Sequence, residues 1–285
     1  MIRFSSKKID KILDFFNKGY VFDLFYYLRS KEVRLDKKLQ YHLPSKKASN
    51  KESIPRILYK TGKHKEENLP DEIKLLFKKI LLDNPEFKIK YFNDDDSLIF
   101  IKNHFNKEVA DAYQKLKPGA YKADLFRYCV LYINGGIYGD LTQSYKVPIK
   151  KIVDLKADKL VLVRDRVMNP HKSNGIQISF LAGIKGLSIF KDCIDQIVSN
   201  VENKYYGETS LDPSGPYLFR KVFQNYTDSY RLELEGDKYG KTYIRDIRTG
   251  KIFILNKLPN HNALIGNTKI NHYSYLWDNK DIYYD

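Results

Sequence analysis

Asp124 and Arg127 interrupt an otherwise apolar run, Tyr121 to Ile133 (YKADLFRYCVLYI). A helix that is apolar on nearly all sides belongs in a protein interior. Neither charge can be buried there alone without a large desolvation cost. Three residues apart, the two side chains share one helix face. Two arrangements satisfy them. One is a mutual ion pair that pins the helix. The other is a face that lines a cleft, where Asp124 accepts hydrogen bonds from a polar ligand and Arg127 orients it or offsets phosphate charge. Asn134-Gly135-Gly136 then ends the helix, with glycine supplying the left-handed cap. Ile137 to Asp140 reads as a very short strand ending in an acid. Ligands of open α/β sheets bind beyond the carboxyl ends of strands. A carboxylate at that place can hold a divalent cation against a diphosphate, or it can simply form a turn.

The flanking sequence supplies elements able to position these groups. Ile54 to Tyr59 is a short apolar run that suits a strand, with Pro55 near its start. Pro70 to Asn84 carries Ile73, Leu76, Phe77 and Ile80 on one face, the pattern of a helix. Phe87 to Phe92 alternates apolar and lysine residues as a strand does, and ends in the capping cluster Asn93-Asp94-Asp95-Asp96. Helices follow from about Asp96 to Phe105 and from Lys107 to Leu116, and Pro118-Gly119 breaks the chain before the central run. Lys159 to Val163 and Ile176 to Ala182 read as strands, and Leu187 to Val201 as a helix. Strands alternating with helices predict an α/β fold with a mostly parallel sheet covered by flanking helices. Residues 1 to 50 form a separate N-terminal helical extension in this reading, and residues 51 to 285 the main domain. In the extension, Ile9, Ile12, Leu13, Phe16, Phe22, Phe25 and Tyr26 recur at helical spacing with lysines between them. That pattern suits a hairpin packed on the main domain, or a basic amphipathic surface in peripheral contact with an anionic membrane.

Bulk properties narrow the class. A chain of 285 residues that is 42% hydrophobic can build a sizeable core, which argues against a mainly disordered protein. No stretch reaches the roughly 18 consecutive apolar residues of a membrane span. No basic-then-apolar leader opens the chain, so the expected location is cytoplasmic, with membrane association as the peripheral variant. Cys129 and Cys193 sit in apolar helix-like runs and read as core thiols. The formal charge of +15 suits nucleic acid, an anionic membrane or a phosphorylated small molecule. No zinc-finger, RNP or arginine-rich signature accompanies it, so no nucleic-acid partner is expected.

The run AYKADLFRYCVLYINGGIYGDL resembles the core of the sugar-binding-region DXD glycosyltransferases. These include the capsular-polysaccharide and initiating-mannosyltransferase type of family 32, related to the large clostridial toxin transferases. Asp124, Arg127, Tyr128, Leu131, Tyr132, Gly135, Gly136, Ile137, Tyr138 and Asp140 match the family pattern. Weaker likeness extends to Ile54 to Lys63 (IPRILYKTGK), to Ser214-Gly215-Pro216 and to His272 to Trp277 (HYSYLW). The resemblance implies a GT-A-type, Rossmann-like fold. It also implies transfer of a sugar, with retention, from a UDP- or GDP-sugar to a hydroxyl acceptor such as a glycan. By the same resemblance, Tyr59, Thr61, Asp124, Arg127, Gly136, Tyr138 and Trp277 would bind the donor. Asp140 and His272 would be catalytic and would hold Mn²⁺ or Mg²⁺. Ser214, Gly215 and Pro216 would face the acceptor.

The chain departs from that pattern at two positions. Asp140-Leu141-Thr142 replaces Asp-x-Asp, so the usual metal-binding second acid is a threonine. Gly62 stands where an aromatic residue often stacks on the base. The threonine leaves three outcomes: a metal held by Asp140, His272 and the diphosphate; basic side chains in place of the metal; or a nucleotide-sugar-binding protein that has lost catalysis.

Overall fold

A computed structural model of the protein describes residues 52–165, 176–236, 243–266, 268 and 270–285. The N-terminal helical extension, and any membrane contact through it, lie outside the described residues. The chain opens with strand β1 (Ile57–Thr61), helix α1 (Asp71–Asp83), strand β2 (Lys88–Phe92) and helices α2 (Asp94–His104) and α3 (Lys107–Lys115). Helix α2 begins where the acid cluster predicts. The Asn93 side chain accepts from the Asp96 amide at 2.9 Å, and the Asp96 carboxylate accepts from the Asn93 amide at 3.4 Å. Helix α4 (Gly119–Asn134) carries the central apolar run and is buried on most sides, Cys129 included.

Strand β3 (Gly136–Gly139) and the two-residue strand β4 (Ser144–Tyr145) follow at once. The chain continues through β5 (Leu160–Arg164), β6 (Ile176–Gly183), α5 (Ser188–Glu202), α6 (Pro216–Phe223), β7 (Arg231–Gly236), β8 (Tyr243–Asp246) and β9 (Ile252–Leu255). The short helices α7 (His261–Leu264) and α8 (Tyr273–Asp278) complete it. Cys193 is buried in α5, so both cysteines are core thiols as expected. No helix among the described residues is long and apolar enough to cross a membrane.

Among the described residues, nine strands form one sheet in the order β2-β1-β3-β6-β5-β7-β8-β9-β4. The parallel character expected from the sequence is confined to β2-β1-β3 and to β5-β7. The other neighbours are antiparallel. The reason lies in the connections. Each parallel crossover needs a dozen or more residues, and a helix usually supplies them. Only eleven residues (165–175) separate the described ends of β5 and β6, and six (237–242) separate those of β7 and β8, too few for such a crossover, so those strands fold back on their neighbours.

Strand β3 is wholly buried between β1 and β6. Tyr59 on β1 lies under it, fully buried, with its ring 6.3 Å from that of Phe92. At Gly136, φ is +113°, and a Cβ there would meet the Tyr59 ring at 2.9 Å and the Ile57 carbonyl at 3.0 Å. Space and backbone conformation therefore both require glycine. Gly136→Ala is expected to cost about 2 kcal/mol or more, read from the shift in denaturation midpoint at unchanged m-value. A loss below about 0.5 kcal/mol would contradict this packing.

Candidate active site

Strands β1 and β3 run parallel with Leu58 opposite Ile137 and Tyr59 opposite Tyr138. Thr61 and Asp140 therefore emerge at the same carboxyl edge of the sheet. Helix α4 delivers Arg127 to that edge. Its guanidinium is 2.9 Å from an Asp124 oxygen and 3.7 Å from an Asp140 oxygen. It also donates to the carbonyls of Ile178 and, at 3.3 Å, Ala123, and lies 4.5 Å above the Tyr138 ring. The second Asp124 oxygen accepts from Ser214 Oγ at 2.8 Å.

The first of the two arrangements considered for the Asp124–Arg127 pair, the mutual ion pair, is present. The ion pair joins two helix residues, and Arg127 also extends to a third charge, Asp140. Side-chain exposure separates the roles: 10% for Asp124, 6% for Arg127 and 41% for Asp140. Asp140 is the member of the triad open to solvent. Burial pushes the Asp124 carboxyl upward, against the pull of Arg127 and Ser214. Asp140 keeps part of its surface in water but is otherwise surrounded by protein, and this partial desolvation raises its carboxyl too, against Arg127, Lys60 and Lys257.

The turn after β3 is fixed from three sides. The Asp140 amide donates to the Ser179 carbonyl at 2.9 Å. The Asp140 carbonyl accepts from the Gln143 amide at 3.0 Å and from Lys60 Nζ at 2.7 Å. The Thr142 hydroxyl donates to the Asn256 carbonyl at 3.3 Å and lies 2.7 Å from His261 Nδ1. Gln143 Nε2 donates to Asn256 Oδ1 at 3.0 Å. Thr142 and Gln143 are fully buried, so the turn shows solvent its aspartate and hides its threonine.

Lys60, Asn256, Lys257 and His261 belong to this site, and the sequence reading missed them. A lysine inside a strand that must be buried was the available signal for Lys60. The others carried none, because residues more than a hundred positions from Asp140 reach it only through the pairing of β4 with β9. Burial pulls Lys60 down to about 7, against the pull of Asp140. Burial and Lys257 hold His261 down at about 4, so its imidazole is neutral at physiological pH.

The remaining expected residues fall into two groups. Thr61 Oγ1 and the Tyr138 hydroxyl are 2.9 Å apart, and Ser214 reaches Asp124, so these join the triad directly. Gly215 precedes α6, and Pro216 is its first residue. Tyr59 and Gly136 pack against each other inside the sheet, with Tyr59 fully buried. His272 caps α8, its Nδ1 accepting from the Ser274 amide at 3.3 Å. Trp277 Nε1 donates to the Tyr206 carbonyl at 2.6 Å, with Lys280 Nζ 4.6 Å from its ring. Tyr273 joins α8 to α4, its ring 5.9 Å from that of Tyr121. At Gly62 a Cβ would lie 2.7 Å from the Tyr91 hydroxyl and 3.1 Å from Leu141, so an aromatic there would have to displace those two side-chain ends.

The described side chains here offer the expected Mn²⁺ or Mg²⁺ one open carboxylate, Asp140, so such an ion would take most of its ligands from the phosphates of a bound ligand and from water. Hard cations of this kind take several oxygen ligands, preferably anionic. Thr142 turns its oxygen inward, and Asp140 is already shared with Arg127. Among the described residues no three His, Cys, Asp or Glu side chains converge as a cage.

Residues 70–158 match the family described as a glycosyltransferase sugar-binding region containing a DXD motif. The match takes in Asp124, Arg127, Asp140 and Thr142. An uncharacterized glycosyltransferase of Acanthamoeba polyphaga mimivirus is 27% identical over 175 residues, covering 61% of this chain and 66% of the relative, just under two thirds of its length. A solved structure, the PaToxG glycosyltransferase, is 16% identical with a TM-score of 0.44, over 60% of this chain and 68% of that one.

Lys60 gives a signed pH prediction. Its pKa in the folded state is near 7, against an ordinary 10.5, so between those values the unfolded chain binds the extra proton. Its contribution to stability therefore rises with pH across that window. Lys60→Met should flatten the rise seen in wild type from pH 7 to pH 10 by thermal unfolding. Parallel wild-type and variant curves would show that Lys60 keeps an ordinary pKa in the fold.

Proposed function

We propose that the protein is a nucleotide-sugar-dependent glycosyltransferase whose donor lies beyond the carboxyl ends of β1 and β3, against Asp140. One observation carries the reading. Asp140 is the solvent-open end of a buried Asp124–Arg127–Asp140 chain, within the residues that match the sugar-binding-region family. The family match and the viral relative support a transferase of sugars. A UDP- or GDP-sugar as donor and a glycan or other hydroxyl as acceptor fit that class.

In this reaction the bond from the anomeric carbon to the β-phosphate oxygen breaks. The acceptor oxygen bonds to the same carbon, and its proton passes to the departing diphosphate. Attack on the face the diphosphate leaves gives retention. The reading needs no protein nucleophile. The chain contributes position and a fixed field, the two largest resources for such a transfer. Asp140 accepts hydrogen bonds from donor hydroxyls. Arg127, fixed by two carboxylates and two carbonyls, holds Asp140 in place and offsets charge on the leaving group. Ser214, bonded to Asp124, puts the acceptor on the α6 side. His272 and Trp277, on the helix that packs through Tyr273 near Asp124, form the remaining wall.

The inward-facing Thr142 favours a second reading, a protein that binds nucleotide sugars without transferring them. Release of UDP or GDP from a panel of donors with glycan acceptors separates the two. Asp140→Asn should lower turnover by about a hundredfold or more in a protein that still folds cooperatively, with some loss of melting temperature from the Arg127 charge it leaves less well met. Full activity in the variant would remove Asp140 from the site. Donor binding with no release across the panel would favour the second reading.

A further inference from the structure

We infer that the diphosphate of the donor is held without a divalent cation, by a positively charged site built into the chain with Lys257 as its exposed phosphate ligand. This rests on the donor-site reading above and names what replaces the metal.

Three observations converge. The oxygen at position 142 is withdrawn from the cleft, bonded to the Asn256 carbonyl and close to His261 Nδ1. The residue is fully buried, so no side-chain rotation alone returns it to a metal. The solvent-open carboxylate of Asp140 is shared with a guanidinium that Asp124 holds in place. A cation on Asp140 would have to compete with that guanidinium. Third, Lys257 directly follows Asn256, whose main-chain and side-chain oxygens bind Thr142 and Gln143. The bonds that turn the threonine inward therefore also anchor a lysine beside the turn. Lys257 is exposed and makes no ion pair with a described residue, and its charge is felt by both Asp140 and His261.

The roles divide by exposure. Lys257 meets phosphate oxygens directly, as a flexible point charge suited to a diphosphate. Lys60 and Arg127 are buried and act as positioning residues: one holds the Asp140 carbonyl, the other its carboxylate. Arg127 is already paired with the two carboxylates, so the charge left to meet an anion is chiefly that of Lys257. An asparagine-tethered lysine thus occupies the functional place of the missing acid and its ion.

The test uses the full chain and titrates UDP and GDP by calorimetry, in chelator and again with Mn²⁺ or Mg²⁺. Equal affinity for one of them in both conditions is expected. Lys257→Ala should weaken that affinity about ten- to a hundredfold, and Lys257→Arg should restore most of it. Position 257 is exposed, so the melting temperature of both variants should match wild type. Binding that appears only with a divalent cation, or that is unchanged in Lys257→Ala, would overturn this inference and leave the donor site standing. No binding of either nucleotide in any condition, by a folded protein, would remove the donor-site reading as well.

Discussion

The guanidinium of Arg127 is the group on which the site depends. A buried arginine is tolerable only where its charge and donors are met, and removing a partner from such a pair commonly costs about 3–5 kcal/mol. Here Asp124, Asp140 and the carbonyls of Ile178 and Ala123 meet them, with the Tyr138 ring beneath. The same contacts join α4 to β3 and to β6. The cleft edge is therefore set by an electrostatic requirement of the core, and Asp140 is held outward because the inner carboxylate already pairs with the arginine.

A second constraint follows from the first. The turn after β3 must present Asp140, and Lys60 fixes its carbonyl from below. What remains of the turn is apolar or uncharged and folds inward, where Asn256 and His261 receive it. The field at the cleft then comes from side chains locked by the fold. Such preorganised charge does not have to reorient when charge develops on a bound ligand. Ser214 carries the influence of the arginine to α6 through Asp124, so the two sides of the cleft share one network.

Much of the architecture was legible because it follows local pattern. The apolar run of α4, the Asn93 cap, the β1 and β2 strands and the Gly135-Gly136 stop are each written within a few neighbouring residues. The parallel half of the sheet followed from alternation of helix and strand. The antiparallel half did not, because the alternation rule assumes a helical crossover between strands, and the connections from β5 to β6 and from β7 to β8 are too short for one. At the site, Asp124, Arg127 and Asp140 were singled out by spacing, and Tyr138 by the family resemblance. Tyr59 was placed with the ligand, since a strand-end aromatic gives no sign of how closely Gly136 will approach it.

By itself, then, the sequence determined which charges must be buried together, where α4 ends, and that an acid stands at the end of a short central strand. These are short-range consequences of helical period, glycine conformation and the cost of an isolated buried charge. Only the tertiary structure decided which acid faces water, which way Thr142 points, and that Lys60, Asn256, Lys257 and His261 gather around it. Those choices depend on β4 pairing with β9 across more than a hundred residues. Contacts at that separation leave no mark in local spacing, because what selects them is the packing of the whole sheet.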